Sequence, residues 1–310
     1  MNVSVIIPAY NAAPWIRETL ESVLAQDVAS LETIVVDDGS TDDTAGIVAK
    51  YGHCVRYVRQ ARRGPGATRN LGIKLAQGDH IAFVDADDIW LPKKIRLQSE
   101  ALQQSGLAWV YSDAYAFDAQ TGAVLCRFSQ LGRLYRGDVL KPLFFRNFIG
   151  SSTPVIRRTV FADVGLFDSE VDLHSKEDWD MWLRIAARYP AALVNVPLAR
   201  YRVSPRSRFY RSSVAERLRA QIAVLDRAVV REPSRLAPLR SQGLARLYVD
   251  AGCISVREGD VAQGRRLFAK AIRLAPCIPR PYVYWLSCLV GQRVLNPAMG
   301  FRHWLRSKRA

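Results

Sequence analysis

The first 110 residues alternate between runs with the period of a strand and runs with the period of a helix, the pattern of a doubly wound α/β sheet. Val3–Pro8 is a continuous apolar run closed by proline and predicts a buried first strand. After it, Pro14 stands near a helix start, and Trp15, Ile16, Leu20, Val23 and Leu24 share one helical face. Ile34–Val36 predicts a second strand that runs into Asp37-Asp38-Gly39-Ser40-Thr41-Asp42-Asp43, where Gly39 suits a turn and Ser40 or Thr41 suits a helix cap. A third strand is expected at Val55–Val58 and a helix at Thr68–Gln77, stopped by Gly78. A fourth strand at His80–Val84 delivers Asp85-Ala86-Asp87-Asp88 at its carboxyl end. In open parallel sheets ligands bind at the carboxyl ends of strands, and three of these ends carry Pro8–Asn11, Asp37–Ser40 and Asp85–Asp88.

Beyond residue 110 the texture is mixed. Trp109–Ser112 is strand-like, Leu143–Phe148 is an aromatic stretch, and a helix from Glu177 to about Arg188 places Trp179, Trp182 and Ile185 on a shared side. From about Ser212 the pattern is helical, with Leu218, Ile222 and Leu225 in step, then Leu244, Leu247 and Tyr248. Ala245, Tyr248, Gly252, Gly259, Ala262, Phe268, Ala271 and Pro276 follow the order of one tetratricopeptide-like helical hairpin. The last thirty residues, 281–310, mix Tyr282, Tyr284, Trp285, Leu286, Leu289, Val290 and Trp304 with Arg293, Arg302, Arg306, Lys308 and Arg309. That composition suits a segment lying at a membrane interface. The expected organisation is therefore 1–110 as a nucleotide-binding half, 111–210 as an acceptor-binding half on the same sheet, and 211–310 as a basic helical region.

Composition narrows the compartment. Five scattered cysteines, none spaced as C-x-x-C, indicate neither a disulfide framework nor a zinc site. No signal-peptide pattern opens the chain and no run of 18 uncharged apolar residues occurs, so a cytoplasmic protein without a membrane span is expected. The net charge of +15 is uneven: residues 1–200 hold 22 Lys and Arg against 23 Asp and Glu, and residues 201–310 hold 22 against 6. A basic block of this kind serves an anionic membrane surface, nucleic acid or solubility.

Several residue types at these positions carry chemistry. Asp85-Ala86-Asp87 after a buried strand can hold a hard divalent cation whose other ligands are diphosphate oxygens; acidic turns at strand ends also occur without metal. The Asp37-Asp38 doublet can accept from a nucleobase N–H or a ribose hydroxyl, Tyr10 can stack on a base or simply pack, and Arg62, Arg63 and Arg69 can supply charge for phosphates. Lys176-Glu177-Asp178-Trp179-Asp180 opens a helix whose acids favour the helix dipole, and one of those carboxylates can act as general base toward an acceptor hydroxyl.

Taken together, Pro8-Ala9-Tyr10-Asn11, Val36-Asp37-Asp38-Gly39-Ser40, Ala67-Thr68-Arg69-Asn70-Leu71-Gly72, Phe83-Val84-Asp85-Ala86-Asp87-Asp88 and Glu177-Asp178-Trp179-Asp180 closely resemble the inverting family 2 glycosyltransferases of the GT-A fold. The order and spacing agree over about residues 1–205. The resemblance implies a Rossmann-like, mixed central sheet flanked by helices, followed here by a helical carboxyl-terminal extension. It also implies a nucleotide-sugar donor, most often a uridine diphosphate sugar, and a magnesium or manganese ion. By the same resemblance Tyr10 and Asp38 contact the base, Pro8 and Asn11 belong to the nucleotide-sugar site, Arg69 lies near the donor, Asp85 and Asp87 form the D-x-D pair that holds the metal, with Asp87 as the direct ligand, and Asp178 is the catalytic base of a displacement with inversion.

Two departures stand out. Many relatives carry Tyr-Arg-x-His where this chain has Tyr201-Arg202-Val203-Ser204, and the Q-x-x-R-W motif of processive synthases is absent. Single addition is therefore expected, to a glycan or lipid-linked acceptor of cell-surface polysaccharide assembly, with residues 281–310 on an anionic membrane surface at the inner face. Two other readings stand beside this one. One is a degenerate protein that binds donor without turnover; the other is a scaffold or nucleic-acid-binding protein working through its basic region, which carries no nucleic-acid motif.

Overall fold

The computed structural model describes residues 1–28, 31–169, 176–204 and 212–290. The chain divides into two compact units, with the boundary after Ser204. In the first unit, β1 (Val3–Ala9), β2 (Leu31–Asp37), β3 (Arg56–Arg59) and β4 (His80–Phe83) pair in parallel in the order β3-β2-β1-β4. Their apolar runs are continuous rather than alternating because β1, β2 and β4 are buried almost throughout. Helices α1 (Ile16–Leu24), α2 (Thr44–Ala49) and α3 (Pro65–Leu75) connect them. α1 buries Ile16, Leu20 and Val23 as the pattern predicts, but Leu24 at its end is exposed. α3 begins three residues earlier than expected, because Pro65 stands at the first helical position.

The sheet changes character beyond β4. The strand β5 (Ile89–Trp90), the helix α4 (Lys94–Ser105), the long strand β6 (Trp109–Asp118) and β7 (Val124–Arg127) follow in sequence. Then come α5 (Leu140–Phe145), β8 (Val155–Arg157), α6 (Val160–Val164), α7 (Glu177–Arg188) and β9 (Ala192–Val203). The spatial order continues β4-β8-β6-β9-β5, with β8 antiparallel to both β4 and β6, and β6 parallel to β9. The sheet is therefore mixed, as the resemblance implies. The aromatic stretch at 143–148 proves to be the end of α5 and the loop after it, with Leu143, Phe144, Phe148 and Ile149 buried.

The second unit is helical. It contains α8 (Val214–Arg231), the short α9 (Pro233–Leu236), α10 (Arg240–Arg257), α11 (Val261–Leu274) and α12 (Arg280–Val290). Ser213 and Glu216 form a capping box at the start of α8. α10 and α11 make the expected hairpin: a Cβ on Gly252 would lie 2.6 Å from Phe268, so only glycine permits this approach. The core here is Ala245, Val249, Cys253, Val256, Phe268, Ala271 and Tyr284. All five cysteines are free thiols. Among the described residues no helix is long and apolar enough to cross a membrane.

Gly72 is the equivalent contact in the first unit, since a Cβ there would overlap the Ile6 side chain of β1. Gly72→Ala is expected to destabilise the protein by about 1–3 kcal/mol, the usual cost of overpacking, measured as a lowered urea midpoint.

Candidate functional site

Parallel register brings the carboxyl ends of three strands to one edge of the sheet. Ala9 lies opposite Asp37, Ile6 opposite Phe83, and the Asp38 N–H donates to the Ala9 carbonyl at 2.8 Å. The turn after β2 is built around Asp37, which is fully buried and accepts from the Ser40 N–H at 2.8 Å and the Tyr57 hydroxyl at 2.5 Å. Burial and that bond push the Tyr57 hydroxyl up to about 12. Gly39 has φ +78°, a left-handed conformation costly for other residues. Ser40 and Thr41 do not cap α2. The Ser40 hydroxyl accepts from the Asn11 N–H at 2.9 Å, and the Thr41 N–H donates to Asn11 Oδ1 at 2.8 Å. α2 starts at Thr44 without a side-chain cap, because the loop after β1 supplies competing partners for these groups. Asn11, itself at φ +49°, thus ties the two loops together, and Pro8 sits in β1 opposite Val36.

Asp38 is buried beneath the loop that follows β3. Its carboxylate accepts from Gln60 Nε2, the Arg63 N–H and the Gly64 N–H, each at 2.8 Å. A carboxylate offers about four lone-pair directions, so three are taken by the protein. Tyr10 is half-exposed, and the Arg62 guanidinium lies 4.0 Å over its ring while donating to its hydroxyl at 2.9 Å. Any ring stacked on that face of Tyr10 therefore displaces or sandwiches Arg62.

The Asp85–Asp88 turn is joined to α7 by one cation. Arg69 of α3 is buried and bonds Asp85 Oδ1 and Glu177 Oε1, both at 2.7 Å. Burial pulls the guanidinium down, but the two carboxylate charges more than offset this and raise it above its usual value. Asp87 is partly exposed; its backbone carbonyl accepts from Arg202 Nε at 2.7 Å. Burial and the Asp85 charge push its carboxyl up to about 6. Asp88 is fully buried, accepting from the Ser152 hydroxyl at 2.5 Å and the Arg202 N–H at 3.0 Å. Burial and the charges of Asp87 and Asp85 raise it well above the carboxylate range.

Asp178 is the second residue of α7, where the helix dipole favours an acid. Its Oδ2 accepts from Asn147 Nδ2 at 3.1 Å and its Oδ1 from the Trp179 N–H at 2.7 Å. Because Glu177 precedes it, the Arg69 bridge connects Asp178 to the same edge that carries Asp85. Among the described residues no cluster of three or more His, Cys, Asp or Glu forms a closed metal cage. Asp85 and Asp87 still fit a divalent cation: they are hard oxygen donors, their crowding disfavours double ionisation, and a magnesium ion commonly takes only one or two carboxylates beside phosphate oxygens.

Sequence reasoning missed the residues that frame this turn. Arg202 lies buried between β9 and α1, pairing with Glu18 and stacking 4.3 Å from Trp15 and 4.6 Å from Phe117. Ser152 accepts from the Asp85 N–H at 3.1 Å, and its carbonyl receives Trp90 Nε1 at 2.9 Å. Behind it the buried Lys94 amine, pulled far down by desolvation, donates to Gln98 at 2.6 Å, and Gln98 holds the Thr153 carbonyl at 2.8 Å. Only the doublet Tyr201-Arg202 hinted at this role. Ser204, where many relatives have histidine, is buried just past the end of β9, two residues from that arginine. Arg69→Met leaves the buried Glu177 and the partly exposed Asp85 without their partner and is expected to cost about 3 kcal/mol in chemical denaturation. Adding Glu177→Gln to that variant should recover part of the loss, since the two positions share one interaction.

Comparison with known proteins agrees with this architecture. Residues 4–149 match the model of glycosyl transferase family 2. The chain is 31% identical over 207 residues to an uncharacterized glycosyltransferase of Rickettsia felis, covering 65% of this chain but only 33%, about a third, of that relative. It is 32% identical over 188 residues to the Escherichia coli UDP-Glc:alpha-D-GlcNAc-diphosphoundecaprenol beta-1,3-glucosyltransferase WfaP, covering 60% of this chain and 70% of WfaP. It is also 31% identical over 207 residues to the putative teichuronic acid biosynthesis glycosyltransferase TuaG of Bacillus subtilis, covering 65% and 79%. Among solved structures, S. aureus TarS 1–349 in complex with UDP-GlcNAc superposes with a TM-score of 0.65 at 18% identity over 93% of this chain and 88% of that one, which establishes the shared GT-A fold. A sheet that converges on an Asp85–Asp88 turn, an arginine joining that turn to α7, and the coverage of WfaP and TuaG over 70% and 79% of their length place this chain in glycosyl transferase family 2.

Proposed function

We propose that this chain is a metal-dependent, inverting glycosyltransferase that moves one sugar from a nucleotide-diphospho-sugar, probed first as a uridine diphosphate sugar, to a glycan or lipid-linked acceptor in cell-surface polysaccharide assembly. The observation that carries the reading is the Asp85–Arg69–Glu177 bridge, which holds the acidic turn and the helix bearing Asp178 in one array. The Escherichia coli relative is named for a uridine diphosphate donor and a diphosphoundecaprenol-linked acceptor, and one structural neighbour is a complex with UDP-GlcNAc. A mannosyltransferase neighbour from Pyrobaculum calidifontis, with a TM-score of 0.57 at 19% identity, is described with GDP-Man and Mn2+, so guanosine diphosphate belongs in the same test.

On this reading Tyr10 and Asp38 hold the base. Asp87 and Asp85 hold a magnesium or manganese ion, which when bound neutralises charge on the diphosphate. Asp178 accepts the proton of the acceptor hydroxyl. The hydroxyl oxygen bonds the anomeric carbon, and the bond to the diphosphate oxygen breaks with its electron pair staying on the nucleotide, so configuration inverts. Asn147 and the Trp179 N–H fix the Asp178 carboxylate for that transfer. The helical region is placed at the inner membrane face, where lipid-linked acceptors reside. Ser204 in the position of the family's frequent histidine favours a second reading, donor binding without turnover.

Calorimetric titration with uridine, guanosine and thymidine diphosphates, each with and without manganese, tests the donor class; metal-dependent binding of one of them is expected, and binding of none would refute it. Asp87→Ala should remove the manganese dependence of that affinity. Asp178→Asn should leave nucleotide affinity unchanged and lower turnover by about 10²–10⁴-fold, the range for a lost general base. Equal losses of binding and turnover would exclude that role, and intact metal-dependent binding without turnover in the unaltered protein would select the second reading.

A further inference from the structure

Helix α12 is amphipathic in an unusual sense: both of its faces are apolar. One face buries Tyr284 and Cys288 in the core of the helical unit, beside Phe268 and Cys253. The other presents Tyr282, Leu286 and Leu289 at spacings of four and three residues, with Val283 alongside, at 39%, 54%, 54% and 52% exposure. The half-buried Trp285 borders this stripe, and the Arg265 guanidinium of α11 lies 5.3 Å over its ring. A surface helix ordinarily turns charged residues to water.

The segment that carries the stripe has charge of one sign, although Asp250 of α10 lies near Arg280 at the start of α12. Residues 261–310 contain ten Lys and Arg and no Asp or Glu. Among the described ones, Arg265, Arg266, Lys270, Arg273 and Arg280 are all exposed. We infer that α12 docks by Tyr282, Val283, Leu286 and Leu289 on an anionic lipid bilayer, with the α11 cations meeting the headgroups. This rests on, and deepens, the proposed placement at the inner membrane face, and assigns it to a folded helix within the described residues rather than to the basic end of the chain alone. Trp285 and Tyr282 supply rings with an apolar body and a polar edge, as side chains at a membrane interface do, and the Arg265 guanidinium lies over one of them.

Charge and chemistry select the lipid. A second copy would bring the same cationic rim against itself in a self-complementary interface. A nucleic acid would match the charge but not Val283, Leu286 and Leu289, which have no ring to stack on a base. An anionic bilayer matches both, offering headgroup charge and an acyl layer at the depth of one helix face.

The test is flotation of the full chain with phosphatidylcholine vesicles and with vesicles that also contain phosphatidylglycerol. The unaltered protein should float with the anionic vesicles only and detach as salt rises. Leu286→Glu with Leu289→Glu, both at exposed positions, should lower that binding about tenfold or more, with an unchanged circular dichroism spectrum and an unchanged uridine diphosphate titration. Because the nucleotide titration is read separately, its failure would count against the glycosyltransfer reading and leave the docking face standing. Equal flotation of the double variant would overturn the proposal, as would absence of flotation of the unaltered protein. A change from dimer to monomer in light scattering of the double variant would instead identify the stripe as a contact between copies. Loss of flotation on deleting 291–310 while the double variant still floats would assign the lipid contact to the end of the chain.

Discussion

The first unit depends on a buried guanidinium with a carboxylate on each side. Arg69 projects from α3, the helix after β3, and reaches Asp85 beyond β4 and Glu177 at the head of α7. A pair taken out of water is stabilising only if its geometry is complete, so the positions of these three elements are not independent. Asn70, the next residue, tightens the same link by exchanging two hydrogen bonds, of 2.7 and 2.8 Å, with the backbone of Phe167. Phe167 stacks edge-on against Phe83 of β4 and Trp182 of α7. The adjacent Arg69 and Asn70 therefore tie α3 to the acidic turn, to Phe167 and to the head of α7.

The acidic turn shows how burial and chemistry constrain one another. Four carboxyl groups lie within or against it, and among the described residues Arg69 and Arg202 bring positive charge close by. Asp88 is satisfied structurally by Ser152 and the Arg202 amide, whereas burial and the Asp85 charge raise the partly exposed Asp87 carboxyl. On the proposed reading the same crowding that makes this turn costly in isolation is what draws a divalent ion and a diphosphate to it. Residues that touch no ligand, such as Lys94, Gln98 and Trp90, hold the Ser152–Thr153 segment, so that the frame of the turn is itself anchored in the core.

The two units obey different rules. The sheet unit gathers charge of both signs around a polar edge, whereas the helical unit segregates its charge and leaves an apolar stripe on its last described helix. Within the helical unit, close approach of Gly252 to Phe268 makes the α10–α11 hairpin tight enough to bury Tyr284 of α12 on it.

Much was legible in the chain alone, for a physical reason: β1, β2 and β4 are continuous apolar runs closed by polar turns, so local pattern suffices to find them and the residues at their ends. Motif order then pointed to the family, and hairpin-spaced glycines to the α10–α11 pair. The segments 291–310, counted in the sequence as part of an interfacial stretch, lie outside the described residues. What pattern could not decide was partnership. Ser40 looks like a helix cap and is instead a hydrogen-bond acceptor for Asn11, because a loop 29 residues away in sequence supplies a better donor. Asp38 and Glu177 look like free acids and are engaged by the Arg63 and Gly64 amides and by Arg69. Ser152 carries no local signal and Arg202 only its place in the Tyr201-Arg202 doublet, since their partners stand 64 and 115 residues away. The sequence by itself determined β1 to β4, the start of β6, the acidic turn and the family; only the tertiary structure decided the remaining strands and which charges are paired, because sheet pairing and ion pairing are set by long-range contacts that leave no period in the chain.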